Sequence, residues 1–148
     1  FWRADGEIDN SYFENNTAIE DGGAINWHEG SIVSIKGTFI RNTANRGGAI
    51  FTNGTEGDIR PSTFIYNEAI QGGAAYINND ELTISTSDFT YNNAIEGGAA
   101  YIAGKNNKIT GSEFTFNNAT YNLRLNTQGT NKKTKGGAVY VSGQSNVV

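Results

Sequence analysis

Residues 66–79 read YNEAIQGGAAYINN and residues 91–104 read YNNAIEGGAAYIAG, nearly the same stretch written twice at a 25-residue step. A fixed period of this length marks a repeat architecture and governs every local reading of the chain. Gly-Gly pairs begin at Gly22, Gly47, Gly72, Gly97 and Gly136, and Phe-x-x-Asn begins at Phe13, Phe39, Phe64, Phe89 and Phe114. The intervals are 25 residues except for 26 between Phe13 and Phe39 and 39 between Gly97 and Gly136. The first exception marks one extra residue beside Glu20 and Asp21. The second marks an inserted loop over residues 121–134.

Each unit holds short runs, such as residues 74–77, 82–84 and 88–91, rich in Ile, Tyr, Phe and Thr and bounded by Gly, Asn, Ser and Asp. These are strand signals, and no 3.6-residue apolar period is long enough for a helix. Three short strands in one unit cannot bury an apolar face alone, but they can when stacked on copies of themselves. The spacing therefore predicts an all-β fold, a right-handed single-stranded parallel β-helix (β-solenoid) with coils ~4.8 Å apart. About five to six coils of 25 residues are expected, with residues 1–148 forming one segment of a longer solenoid.

Stacking allows the repeat to be read in columns. Phe fills one column throughout, as a core stack would. The column five residues earlier holds Ile8, Ser34, Ile59, Ile84 and Ile109, and is expected inside, with Val33 and Ile35 indicating a slip at Ser34. Asn16, Asn42, Asn67, Asn92 and Asn117 form a structural ladder that passes side-chain hydrogen bonds between coils at a turn. Ala18, Ala44, Ala69, Ala94 and Ala119 follow two residues later and permit close packing. The Gly-Gly pair supplies a turn or bulge that a side chain would block.

Composition removes whole classes of chemistry. With no Cys there is no disulfide framework, thiolate metal site or Cys nucleophile. The chain contains no Met, so a processed product or a piece of a longer protein is expected. No apolar run approaches the ~18 residues of a membrane span, and no signal peptide is visible. Residues 1–102 carry five basic and fourteen acidic side chains, whereas residues 103–148 carry six basic and one acidic.

Stretches such as FIRNTANRGGAI and FIYNEAIQGGAA, with Phe-x-x-Asn alternating with Gly-Gly-Ala-Ile, resemble the repeats of the chlamydial polymorphic outer-membrane proteins. They are also similar to those of the large adhesin-like surface proteins of methanogenic archaea. The resemblance runs over roughly residues 8–143. It implies a secreted or cell-surface stalk or passenger, adhesive and without a catalytic site.

Several columns bear on chemistry. Asp21, Arg46, Gln71, Glu96 and Lys135, each preceding Gly-Gly, form a ladder in which neighbouring charges attract weakly. Asp88 with Glu113, and Glu56 with Glu81, stack carboxylates on adjacent coils. Such pairs raise a pKa or recruit a cation, so they are the weak candidates for a loosely bound Ca²⁺. Their spacing also matches a retaining glycosidase pair, but no accompanying Arg or Lys shares the column. No catalytic residue, firm metal site or cofactor is therefore assigned. The stronger lead is aromatic: Phe51, Tyr76, Tyr101 and Tyr140 in a column headed by Asn26, and Tyr66, Tyr91 and Phe116 in one headed by Asn15 and Arg41. Because these columns accept Asn and Arg, they are expected to be exposed ladders of rings, which either bind a ligand by stacking on sugar rings or only stabilise the packing between strands. His28, alone of its kind, reads as a loop residue. The insertion, with Arg124, Lys132 and Lys133, is a place for binding specificity or a plain loop. Asn15, Asn53 and Asn118 begin Asn-x-Thr sequons and are glycosylation candidates.

The expected function is thus an extracellular or cell-surface adhesin-like repeat segment whose partner is a glycan or protein of a host or neighbouring cell. A subunit stacking end to end into a filament is the alternative, suggested by the charge asymmetry. A polysaccharide-cleaving enzyme ranks below both. No RNA-type motif interleaves the basic residues, so nucleic acid is not expected.

Overall fold

The computed structural model describes residues 6–28, 34–120 and 134–148. The strands are β1 (Glu7–Glu14), β2 (Ile25–His28), β3 (Ser34–Ile40), β4 (Ile50–Asn53), β5 (Gly57–Ile59), β6 (Thr63–Ile65), β7 (Ala75–Ile77) and β8 (Leu82–Ser85). They continue with β9 (Asp88–Thr90), β10 (Asn93–Ala94), β11 (Ala100–Ile102), β12 (Lys108–Thr110), β13 (Glu113–Thr115), β14 (Asn118–Ala119) and β15 (Val139–Val141). Every strand pairing is parallel, and each strand pairs with its equivalent in an adjacent coil. The protein is an all-β solenoid.

One sheet runs β2, β4, β7, β11, β15. The other main sheet follows the order β12, β8, β5, β3, β6, β9, β13, with β1 on β3. The first of these sheets has five rungs, enclosing about four turns, fewer than the five to six coils expected. Tyr101 pairs directly with Tyr140, so the interval from Gly97 to Gly136 spans a single rung, as an inserted loop requires.

The core is a set of continuous columns. Phe13, Phe39, Phe64, Phe89 and Phe114 stack face to face with ring centroids 5.0, 4.9, 4.6 and 4.7 Å apart. Each such contact contributes about 0.5–1.5 kcal/mol beyond burial of the ring. Ile59 and Ile84 line the same interior beside Ile50, Ile77 and Ile102. Ser34 is not in this column. Ile35 pairs with Ile8 and Ile59 and is wholly buried, while Ser34 pairs with Glu7 and Asp58. The shift is a one-residue irregularity between Ile8 and Ser11, where β1 is longer than β3 by one position.

Polar ladders hold the corners. Asn42, Asn67 and Asn92 are completely buried, and their amides are fully used. Asn67 Oδ1 accepts from the Asn42 backbone N–H at 2.9 Å and from Asn42 Nδ2 at 3.0 Å. Asn67 Nδ2 donates to Asn92 Oδ1 and to the Phe39 carbonyl, both at 3.0 Å. Two acceptor sites and two donors are thereby matched, which is what burial of a primary amide demands. Two further ladders are not apparent as pure columns. Ser62, Ser87 and Ser112 each accept from a backbone N–H one coil below, and Asn79 and Asn107 do the same at the third corner.

The Gly-Gly corner explains its own invariance along the chain. Gly47 has φ +61°, and a Cβ there would lie 2.0 Å from the Ile50 carbonyl oxygen. A Cβ on Gly48 would lie 2.1 Å from the carbonyl oxygen of Gly73 in the next coil. One glycine makes the left-handed turn, and the other lets two coils touch backbone to backbone.

Candidate functional site

The Asn ladder also shapes the surface beside it. To bring each Asn backbone N–H onto the amide oxygen of the next coil, the preceding residue turns through left-handed geometry. Asn15, Arg41, Tyr66, Tyr91 and Phe116 have φ of 58°, 52°, 56°, 56° and 55°. Asn tolerates that region, but for a bulky side chain it costs roughly 1–2 kcal/mol. Three aromatic residues in succession hold this conformation, and their side chains stand at the surface: Tyr66 is 50% exposed, Tyr91 44% and Phe116 70%. Their rings stack at 5.0 Å with planes 11° and 10° apart. Arg41 lies 5.7 Å from the Tyr66 ring centre and pairs with Glu14 at 3.2 Å.

Next to this ladder runs a groove of about 570 Å³ lined by Asn15, Arg41, Thr43, Tyr66, Asn67, Glu68, Tyr91 and Asn93. Its construction is periodic. Each of the middle rungs supplies one residue from the exposed ladder and one polar residue two positions on: Arg41 with Thr43, Tyr66 with Glu68, Tyr91 with Asn93. Thr43, Glu68 and Asn93 are linked by parallel bridges, so the polar wall rises in register with the aromatic one.

The second aromatic column departs from the expectation of exposure. Phe51 is 2% exposed and Tyr101 9%, while Tyr76 and Tyr140 are half-buried. The rings of Phe51, Tyr76 and Tyr101 stack at 5.3 and 4.9 Å. Phe51, Tyr76 and Tyr140 are flanked by the ladder that precedes Gly-Gly, and Tyr101 sits between Tyr76 and Tyr140. Arg46 grips Asp21 through two bonds of 2.6 and 2.7 Å and lies over Phe51 at 4.7 Å and Tyr76 at 5.5 Å. Higher up, Gln71 donates to Glu96 at 2.8 Å, and Lys135 pairs with Glu96 at 3.0 Å while sitting 5.0 Å from the Tyr140 ring. The hydrogen bond to Asp21 holds the Arg46 guanidinium above its usual pKa, and burial pushes the Tyr76 phenol up. This seam closes over its rings and leaves Phe51 and Tyr101 little surface to offer a ligand.

The remaining candidates scatter. Asp88 and Glu113 pair across β9 and β13, both exposed, with Thr63 below Asp88. Glu56 and Glu81, also exposed, immediately precede the paired Gly57 and Leu82. Among the described residues no three His, Asp or Glu side chains gather where a metal could be held. His28 is exposed, 3.5 Å from the Asn53 amide. Of the sequon residues, Asn15 and Asn118 are exposed and Asn53 accepts a hydrogen bond from Asn78. Arg124, Lys132 and Lys133 lie outside the described residues.

Residues 10–26 and 36–53 match the family described as Chlamydia polymorphic membrane protein repeat. The chain resembles that family. The two matched stretches hold the first two Phe-x-x-Asn and Gly-Gly elements, so what matches is the Asn corner, the Gly-Gly corner and the strands joining them. No curated protein and no solved structure matches the chain. Among the described residues no helix is long and apolar enough to cross a membrane, which says nothing of a β-barrel.

Proposed function

We propose that the chain is a non-catalytic segment of a cell-surface or extracellular β-solenoid, and that it mediates attachment through the exposed ladder of Tyr66, Tyr91 and Phe116. The observation that carries this reading is the combination of strain and exposure. Bulky rings occupy left-handed backbone on three successive coils and bury about half their surface or less. Asn at the same corner, as in Asn15, meets the backbone requirement without strain, whereas the rings set about 0.5–1.5 kcal/mol per stacked pair against a strain of roughly 1–2 kcal/mol each, so stacking offsets the strain without exceeding it. Exposed aromatic side chains are the side chains that dominate binding surfaces. The matched repeat comes from a membrane-protein family, which supports placement at a cell surface.

The filament reading is less favoured. Three acidic side chains of β1, Glu7, Asp9 and Glu14, already face Arg60, Lys36 and Arg41 of later coils, so much of the acidic excess there is answered within the chain. The test of attachment is adhesion of beads carrying the chain to cell monolayers. Tyr66→Asn with Tyr91→Asn should reduce bead retention at least several-fold while leaving the circular dichroism spectrum unchanged. Undiminished retention by that variant would sink the proposal.

A further inference from the structure

We infer that the groove beside the exposed ladder takes a neutral, extended β-linked glycan lying parallel to the solenoid axis, about one sugar per rung. This rests on the attachment reading and gives it a ligand class. The sequence suggested that sugars would stack on the ring faces of an aromatic ladder. The geometry leaves no room for that between the rings. Tyr66 and Tyr91 lie face to face at 5.0 Å, as do Tyr91 and Phe116, so their facing surfaces are used on each other. What Tyr66 and Tyr91 present outward is ring edges and phenol hydroxyls, one per coil.

The opposite wall supplies Thr43, Glu68 and Asn93, again one per coil. The groove is therefore flanked by hydroxyl, carboxylate and amide groups at the coil spacing, with Asn93 Oδ1 already accepting from Thr120 Oγ1 at 2.6 Å and one Glu68 oxygen buried. A ligand that uses it fully must be a polymer with hydrogen-bonding groups on both flanks and a similar repeat. A β-linked hexopyranose chain meets both conditions, since each sugar carries hydroxyls on both edges and advances by about one coil spacing. An extended peptide fits less well. Its side chains recur on one face every ~6.6–6.8 Å, out of step with coils ~4.8 Å apart.

Backbone pairing of a peptide is unavailable too, because the groups at this corner are engaged between coils. Tyr66 N–H donates to the Thr90 carbonyl, Glu68 N–H to the Asn42 carbonyl and Asn93 N–H to the Asn67 carbonyl. Charge points to a neutral ligand. The lining holds one cation and one anion, and Arg41 is already paired with Glu14. A polyanion would meet Glu68 at the middle of the groove.

The experiment is calorimetric titration of the 148-residue chain with two neutral series, β-1,4-glucose and β-1,4-N-acetylglucosamine oligomers of increasing length. Polygalacturonate and an unstructured peptide serve as controls. Affinity for at least one neutral series should rise with each added sugar, by about two- to tenfold per unit for one new hydrogen bond. It should level off at four units, because the lining spans the four rungs of Asn15, Arg41, Tyr66 and Tyr91. Asn93→Ala, on the polar wall and away from the aromatic ladder, should weaken the longest oligomer by about five- to tenfold.

Failure of both neutral series to bind, affinity that is independent of length, or binding of the controls alone would overturn the inference. The attachment reading fails separately. If bead retention depends on Tyr66 and Tyr91 but survives periodate oxidation of the target cells, attachment stands and the glycan does not. If retention ignores those tyrosines, the attachment reading itself is lost.

Discussion

Replacing Asn67 with Ala isolates what the buried Asn ladder contributes. The substitution removes four hydrogen bonds at once: two received from Asn42 and two given to Asn92 Oδ1 and the Phe39 carbonyl. At a net ~1 kcal/mol each the loss is about 4 kcal/mol, and the groups left unpaired at a fully buried site push it upward. Asn16→Ala is the internal control. Asn16 makes one side-chain bond to the ladder, from Nδ2 to Asn42 Oδ1 at 2.9 Å, and is only partly buried. That change should cost about 1 kcal/mol. Urea unfolding followed by circular dichroism measures both, with the midpoint falling far more for Asn67→Ala. Equal losses for the two variants, or a loss below ~1 kcal/mol at Asn67, would refute the idea that the ladder is a saturated, cooperative element.

Other consequences follow from the corners and the seam. Gly48→Ala should destabilise by more than ~3 kcal/mol, because its Cβ meets backbone of the next coil, and low yield or a lost urea transition would register it. Gly137→Ala is the contrast: among the described residues its added carbon meets nothing nearer than 4.0 Å, so the urea midpoint should barely move. Arg46→Ala should cost about 2 kcal/mol, less than for a fully buried pair because the Arg46 side chain is 43% exposed. A double-mutant cycle with Asp21→Asn should recover much of that as coupling energy. For Tyr76 the folded-state pKa is raised, first by burial and then by neighbouring Tyr101. Its contribution to stability is therefore whole below the ordinary phenol value of ~10 and is lost as pH rises through the folded value. Alkaline spectrophotometric titration should show a tyrosine that ionises late, together with unfolding.

Much of the fold could be read directly because stacking forces equivalent residues into columns. Phe, Asn, Ala and Gly-Gly recur where the backbone needs them, and the 26-residue interval put the extra residue beside Glu20 and Asp21, where the neighbouring Ile19 projects to solvent at 87% exposure. What escaped the sequence was whatever one column borrows from another. Read alone, the column of Phe51 and Tyr101 looks open, because Asn26 heads it. Arg46 of the neighbouring charged ladder lies over Phe51, and Tyr101 is held between the rings of Tyr76 and Tyr140. The Ser ladder was hidden because Gly37 stands in its column, and the third-corner ladder because Asn107 aligns with Leu82. The left-handed conformation of Tyr66, Tyr91 and Phe116 runs against aromatic propensity, and only Asn15 in that column hinted at it. The groove followed from that conformation and from the polar residue two positions on, neither of which carries a motif.

The most direct test of function is covalent footprinting of tyrosines on the chain, free and bound to target cells, read by mass spectrometry. In the free chain Tyr66 and Tyr91 should label readily, with Tyr101 nearly silent. On attachment Tyr66 and Tyr91 should become protected while Tyr101 stays as it was. Labelling of Tyr66 and Tyr91 that is the same in the attached and free chain would contradict the assignment of this face as the binding surface.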